Sequence, residues 1–165
     1  MRAQKDNGCA AVRHLEVPNA VLLEKVREAI RSGHTATINV KGYSMRPFLE
    51  NCRDRVILAA PPENLSVGDA VLAEIRPKVY VLHRIIARDG EHLCLMGDGN
   101  LRGTERCRTT DVIGIVTHYI YRHRVVLASD PRLCRLIRFW RKALPVRRYL
   151  LYVYRLGIKL SNITR

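Results

Sequence analysis

No run of about 20 consecutive apolar residues, the length a membrane-spanning helix needs, occurs anywhere in this 165-residue chain. A crossing helix is therefore not expected. The first 17 residues contain no apolar core of the kind a secretory signal has, and Met1 to about Val17 read as a loosely ordered, polar lead-in. Cysteine is sparse. The five, Cys9, Cys52, Cys94, Cys107 and Cys134, form no Cys-x-x-Cys pair and have no His at zinc-ligand spacing. That argues against a structural metal and for reduced thiols in a cytoplasmic setting, and no cofactor is implied. Acidic residues are also short, with 15 Asp and Glu against 29 Lys and Arg, a net charge of +14 and a pI near 10.2. Internal repeats and low-complexity tracts are absent.

What is present is a chain of one-domain size, 47% apolar, in three parts. Pro18-Asn19 opens a helix in which Leu22, Leu23, Val26 and Ile30 recur at helical spacing, and Ser32-Gly33 ends it. From Thr35 to about Leu127 the pattern is of short strands, expected over Thr35–Val40, Arg55–Ala59, Ala70–Ile75, Val79–Ile86, His92–Met96 and Val112–Tyr121. Pro61-Pro62, Gly68-Asp69, Arg76-Pro77, Asp89-Gly90 and Gly97-Asp98-Gly99 punctuate them. The spacing predicts a mainly β fold of coiled, antiparallel, partly closed sheets behind an N-terminal amphipathic helix. Residues 18–129 form the expected domain and 130–165 a basic helical tail.

Within the β region a serine, a histidine and an aspartate follow one another, each beside a strand-like run or a glycine turn. They are Ser44 in Gly42-Tyr43-Ser44-Met45-Arg46-Pro47, His83 in Val81-Leu82-His83-Arg84, and Asp98 in Met96-Gly97-Asp98-Gly99-Asn100. A serine hydroxyl is a weak nucleophile until a base takes its proton, and a neutral imidazole supplies that base at neutral pH. An aspartate would hold the ring and favour the imidazolium formed during attack. Each residue also has a plainer reading: Ser44 as a turn former, His83 as a satisfied core histidine, Asp98 as an Asx turn. Asp69 reads as a turn residue.

Together the boxes Gly42–Pro47, Gly68–Val71, His83-Arg84 and Gly97–Asn100 resemble the successive motifs of type I signal peptidases. The match is closest to the branch that uses histidine where the common bacterial enzymes use lysine, with LexA-type self-cleaving repressors as more distant relatives of the same fold. The resemblance spans roughly Ile38 to Gly114. It implies Ser44 as nucleophile, His83 as general base, Asp98 as the first acidic residue of the last box, and Gly42, Ser44, Met45 and Pro47 as the turn that carries the nucleophile and an oxyanion donor. Two departures stand out: Gly42 occupies the place where many bacterial members carry a hydroxyl, and Leu101–Glu105 supplies Thr104 and Glu105 where a second aspartate is usual.

The tail carries ten of the 29 basic residues and one of the 15 acids. Leu133, Leu136, Ile137, Trp140 and Leu144 repeat at three- and four-residue steps among Arg135, Arg138 and Arg141, and Arg147 and Arg148 open a second apolar and basic run. Such a segment suits an anionic membrane surface, a packed or partner-binding helix, or nucleic acid. For nucleic acid no helix-turn-helix or RNA-binding motif is found. Neither Ala-Gly nor Cys-Gly, the usual scissile dipeptides of self-cleaving repressors, occurs. The reading is a serine endopeptidase acting in trans on a peptide or protein bound as an extended strand, peripheral on the inner membrane face. The alternative is a non-catalytic binding or regulatory module of the same fold.

Overall fold

The computed structural model describes residues 19–122 and 124–163; the expected flexible N-terminus, with Cys9, lies outside them. The first helix, α1 (Asn19–Arg31), buries Val26 and Ile30 and leaves Leu22 exposed. Gly33 ends it at φ +80, a conformation that costs glycine little, and the His34 N–H reaches back to the Ala29 carbonyl.

Eight strands follow: β1 (Ala36–Asn39), β2 (Asp54–Ala59), β3 (Ala70–Arg76), β4 (Val79–Asp89), β5 (His92–Met96), β6 (Glu105–Arg108), β7 (Val112–Tyr121) and β8 (Arg124–Leu127). They make one antiparallel sheet in the order β1-β2-β7-β3-β4-β5-β6, with β8 paired to β7. The sheet is open rather than partly closed. Two strands were not expected from the sequence, β6 and β8, and β4 runs three residues longer than expected, to Asp89.

Alternation along β4 sorts its side chains onto two faces. Tyr80, Leu82 and Arg84 face one apolar cluster, with Phe48, Leu49, Val56, Leu58 and Tyr119. Val81 and Ile85 belong to a second, with Val71, Leu93, Leu95 and Cys107, and His83 shares their face. Burial pushes the Cys107 thiol up to about 11, so this thiol stays protonated and unreactive near neutral pH.

The basic tail forms α2 (Pro131–Lys142) and α3 (Arg147–Ile163). Asp130 caps α2 by accepting from the Arg132 and Leu133 N–H groups, with Pro131 at the first helical position. The two helices are not appended to the sheet: Leu133, Ile137, Trp140 and Leu151 are buried in the first cluster. Trp140 and Arg147, which the sequence assigns to a membrane or partner surface, face inward for that reason, at 7% and 3% exposure. Arg135, Arg138 and Arg148 remain exposed and Arg141 is half-buried.

Candidate functional site

Three chain segments converge around Ser44. The first is its own turn, residues 42–49, between β1 and β2. Gly42 takes φ +90 and donates its N–H to Asn51 Oδ1 at 2.8 Å, while Met45, Phe48 and Leu49 anchor the turn in the core. The Arg46–Pro47 peptide is cis. Arg46 pairs with Glu50 and lies over the Tyr43 ring at 4.2 Å. Glu50 also accepts from the Tyr154 hydroxyl of α3 at 3.2 Å.

The second segment is the Gly97–Asn100 loop after β5. Gly99 N–H donates to the Ser44 carbonyl at 2.7 Å. A Cβ at Gly97 would lie 2.4 Å from the Ser44 carbonyl oxygen and 2.9 Å from Ser44 Cβ; one at Gly99 would lie 2.7 Å from the Tyr43 carbonyl oxygen. Both glycines are therefore sites of backbone contact with the serine turn, and any larger residue would push it away.

The third segment is β4, which carries His83. Arg84 pairs with Met96 across β4 and β5. Continued by one residue, this register sets Gly97 opposite His83, so the side chain that Gly97 lacks would point to the face His83 occupies. Ser44 fills that space. Ile85 pairs with Leu95, and Leu95 in turn with Glu105 of β6. His83 and Glu105 thus share a face across two strands, and His83 Nδ1 lies 2.8 Å from Glu105 Oε2. With Nδ1 engaged by the carboxylate, Nε2 is the ring nitrogen available to a hydroxyl. His83 is 6% exposed. Among the described residues neither Ser44 Oγ nor the Ser44 backbone N–H has a hydrogen-bond partner.

Asp98 does not meet His83. Its carboxylate is held on the opposite face of β4 by Arg84, with Nε at 2.8 Å from Oδ1 and Nη2 at 2.6 Å from Oδ2. Both side chains are almost wholly buried, Arg84 at 1% and Asp98 at 3% exposure. Burial works against the Arg84 charge, but the Asp98 carboxylate and Tyr119 outweigh it and hold the guanidinium pKa above its usual value. Arg84 also donates to the Gly68 carbonyl at 2.7 Å, tying in the Gly68–Val71 box. The carboxylate in contact with His83 is thus Glu105 and not Asp98. The reason is parity: Arg84 and His83 are neighbours on a strand and point to opposite faces.

Helices α2 and α3 fix the loop from behind. Trp140 Nε1–H donates to the Asp98 carbonyl at 2.8 Å and meets Phe48 edge to face at 6.1 Å. Arg147 donates to the Asn100 carbonyl at 3.1 Å and to the Trp140 carbonyl at 3.2 Å, over the Trp140 ring. Burial lowers the Arg147 pKa, opposed by the Asp98 carboxylate, and its Nε–H has no partner among the described residues.

A cleft of about 180 Å³, lined by Asp69, Arg84, Tyr119, Ile137, Arg138 and Arg141 among others, opens on the Arg84 side and includes neither Ser44 nor His83. Among the described residues no cluster of metal-ligating side chains occurs.

Glu105 stands in the sequence near the place of the family's second aspartate, yet the sequence assigns it no role, because Glu105-Arg106-Cys107-Arg108 looks like polar loop. The available signal was the strand alternation itself, with one apolar side chain, Cys107, among charged neighbours, as an edge strand requires. Compared with known proteins, the chain matches no family model, no curated protein and no solved structure.

Proposed function

We propose that this protein is a serine endopeptidase of the signal peptidase-like type, in which Ser44 attacks, His83 accepts its proton through Nε2, and Glu105 orients the ring. The observation that carries the reading is the shared face: Ser44 packs into the space left by Gly97, across the register from His83, whose other nitrogen is held at 2.8 Å by a carboxylate. A nucleophile, a base and an orienting acid gathered on one face form the arrangement that acyl transfer needs. No hydrogen bond joins Ser44 to His83 before substrate binds, and such contacts commonly tighten only in the productive complex.

In the proposed reaction, Ser44 Oγ adds to the carbonyl carbon of the scissile peptide as its proton passes to His83. The carbonyl electrons move to oxygen, and the Ser44 N–H donates to that oxyanion, a type of contact worth roughly 3 kcal/mol. Collapse expels the amine, which takes the proton from His83, and water then cleaves the acyl-serine by the same path. Gly42 supplies no second donor, since its N–H is held by Asn51. The substrate would add as a strand to the open edge of β1, which among the described residues pairs only with β2 and leads directly into the serine turn.

Peptide cleavage by the whole chain and by Ser44→Ala and His83→Ala variants tests this reading. Each variant is expected to lose about 10³-fold or more in kcat/KM. Equal activity in all three would remove the assignment and favour a binding module of the same fold.

A further inference from the structure

Nine of the seventeen large apolar side chains exposed among the described residues lie between Leu136 and Leu156. On α3 they are ordered. Tyr149, Tyr152, Val153 and Leu156, at spacing i, i+3, i+4 and i+7, form a crest with exposures of 68%, 64%, 65% and 43%. This crest lies opposite the face that packs inward through Arg147, Leu151 and Tyr154. Arg148 and Arg155 are exposed on its shoulder, seven residues apart. An apolar face turned directly away from the core gains nothing from the fold and marks a surface built to meet something else.

Charge identifies the occupant. Helices α2 and α3 together hold nine Lys and Arg and no Asp or Glu. A second copy of the chain would bring the same positive charge against it. Nucleic acid requires cations where this face presents four apolar side chains. An anionic bilayer surface satisfies both halves of the pattern: tyrosine and aliphatic side chains enter the boundary between headgroups and acyl chains, and arginines remain among the phosphates. No described helix is long and apolar enough to cross a membrane.

We infer that α3 is an in-plane anchor that seats this protein on anionic membranes through Tyr149, Tyr152, Val153 and Leu156, with Arg148 and Arg155 on lipid phosphates. The same helix holds the site, through Arg147 on Asn100 and Tyr154 on Glu50, so anchoring fixes the distance of Ser44 from the bilayer. The anchor does not depend on the peptidase reading.

The test is co-sedimentation of the full chain with phosphatidylserine–phosphatidylcholine vesicles and with pure phosphatidylcholine vesicles. Binding to the anionic vesicles is expected, at least about tenfold weaker on the neutral ones and weaker with added salt. A Tyr149→Ser, Tyr152→Ser, Val153→Ser variant should lose about tenfold or more of that binding with an unchanged melting temperature. Should this triple variant melt lower, the Arg148→Glu, Arg155→Glu pair carries the test with the same expected loss. Ser44→Ala should bind as the unmodified chain does, which separates anchoring from catalysis. The inference is overturned if the full chain stays in the supernatant with anionic vesicles, if the well-folded variants sediment undiminished, or if light scattering finds a dimer that the triple variant splits.

Discussion

Two carboxylates near His83 have opposite duties, and substitution should separate them. Glu105 is partly solvated and meets an imidazole; Asp98 is sealed against a guanidinium. Replacing Glu105 with Gln keeps the shape but lets an amide N–H donate to Nδ1, forcing the proton onto Nε2, where it blocks the base. We expect kcat to fall about 10²- to 10⁴-fold with little change in melting temperature. Asp98→Asn should instead leave the Arg84 charge buried and uncompensated, costing about 3–5 kcal/mol of stability. Thermal melts and steady-state kinetics on the two variants check both statements. The reverse pattern, a catalytic defect with full stability for Asp98→Asn alone, would return the orienting role to Asp98. Position 105 was hard to read in the sequence because an acid in a charged stretch has no local pattern. Only the pairing of Leu95 with both Ile85 and Glu105 makes it a neighbour of His83.

The elements themselves were largely legible. The helix over Asn19–Arg31, the strand His92–Met96 and the strand Val112–Tyr121 have clear periodicity and clear stops, and the structure places them within a residue or so of the expected bounds. The four-residue strands β6 and β8 escaped notice because charged residues dominate β6 and because β8 is little more than a return along β7. Contact between turns is the other level the sequence conceals: Gly97 and Gly99 look like hairpin residues, yet they are the surface on which the Ser44 turn rests. Gly97→Ala should therefore be far more damaging than an alanine in an ordinary turn. The added methyl would sit 2.4 Å from the Ser44 carbonyl oxygen, and relieving that overlap costs on the order of 1–3 kcal/mol while moving the serine. A crystal structure or a serine-directed probe would report the displacement; unaltered labelling and stability would refute the close approach.

At the scale of the whole molecule, the composition break near residue 130 suggested a separate tail, and the structure gives a shared core. Basic residues dominate the exposed surface of α2 and flank the apolar crest of α3, so the average character of the segment conceals Leu133, Ile137, Trp140 and Leu151, four side chains that complete the cluster beneath the sheet. Burying each is worth about 1.5–3 kcal/mol, a sum comparable with the whole net stability of an ordinary domain, about 5–15 kcal/mol. A chain ending at Ser129 is accordingly expected to lose its cooperative thermal transition by circular dichroism. A sharp melt near that of the full chain would show that the sheet stands alone.

The indole of Trp140 on the Asp98 carbonyl and the guanidinium of Arg147 on that of Asn100 have a consequence in time. During synthesis the ribosome delivers Ser44, His83 and Glu105 well before it delivers residues 140 and 147, and segments made first begin folding first. The early half of the protein emerges with these side chains present but their supporting loop unlatched. On the peptidase reading proposed above, hydrolytic competence would arrive only with the closing helices, sparing the nascent polypeptide, and its neighbours on the polysome, a working blade before translation has passed residue 147.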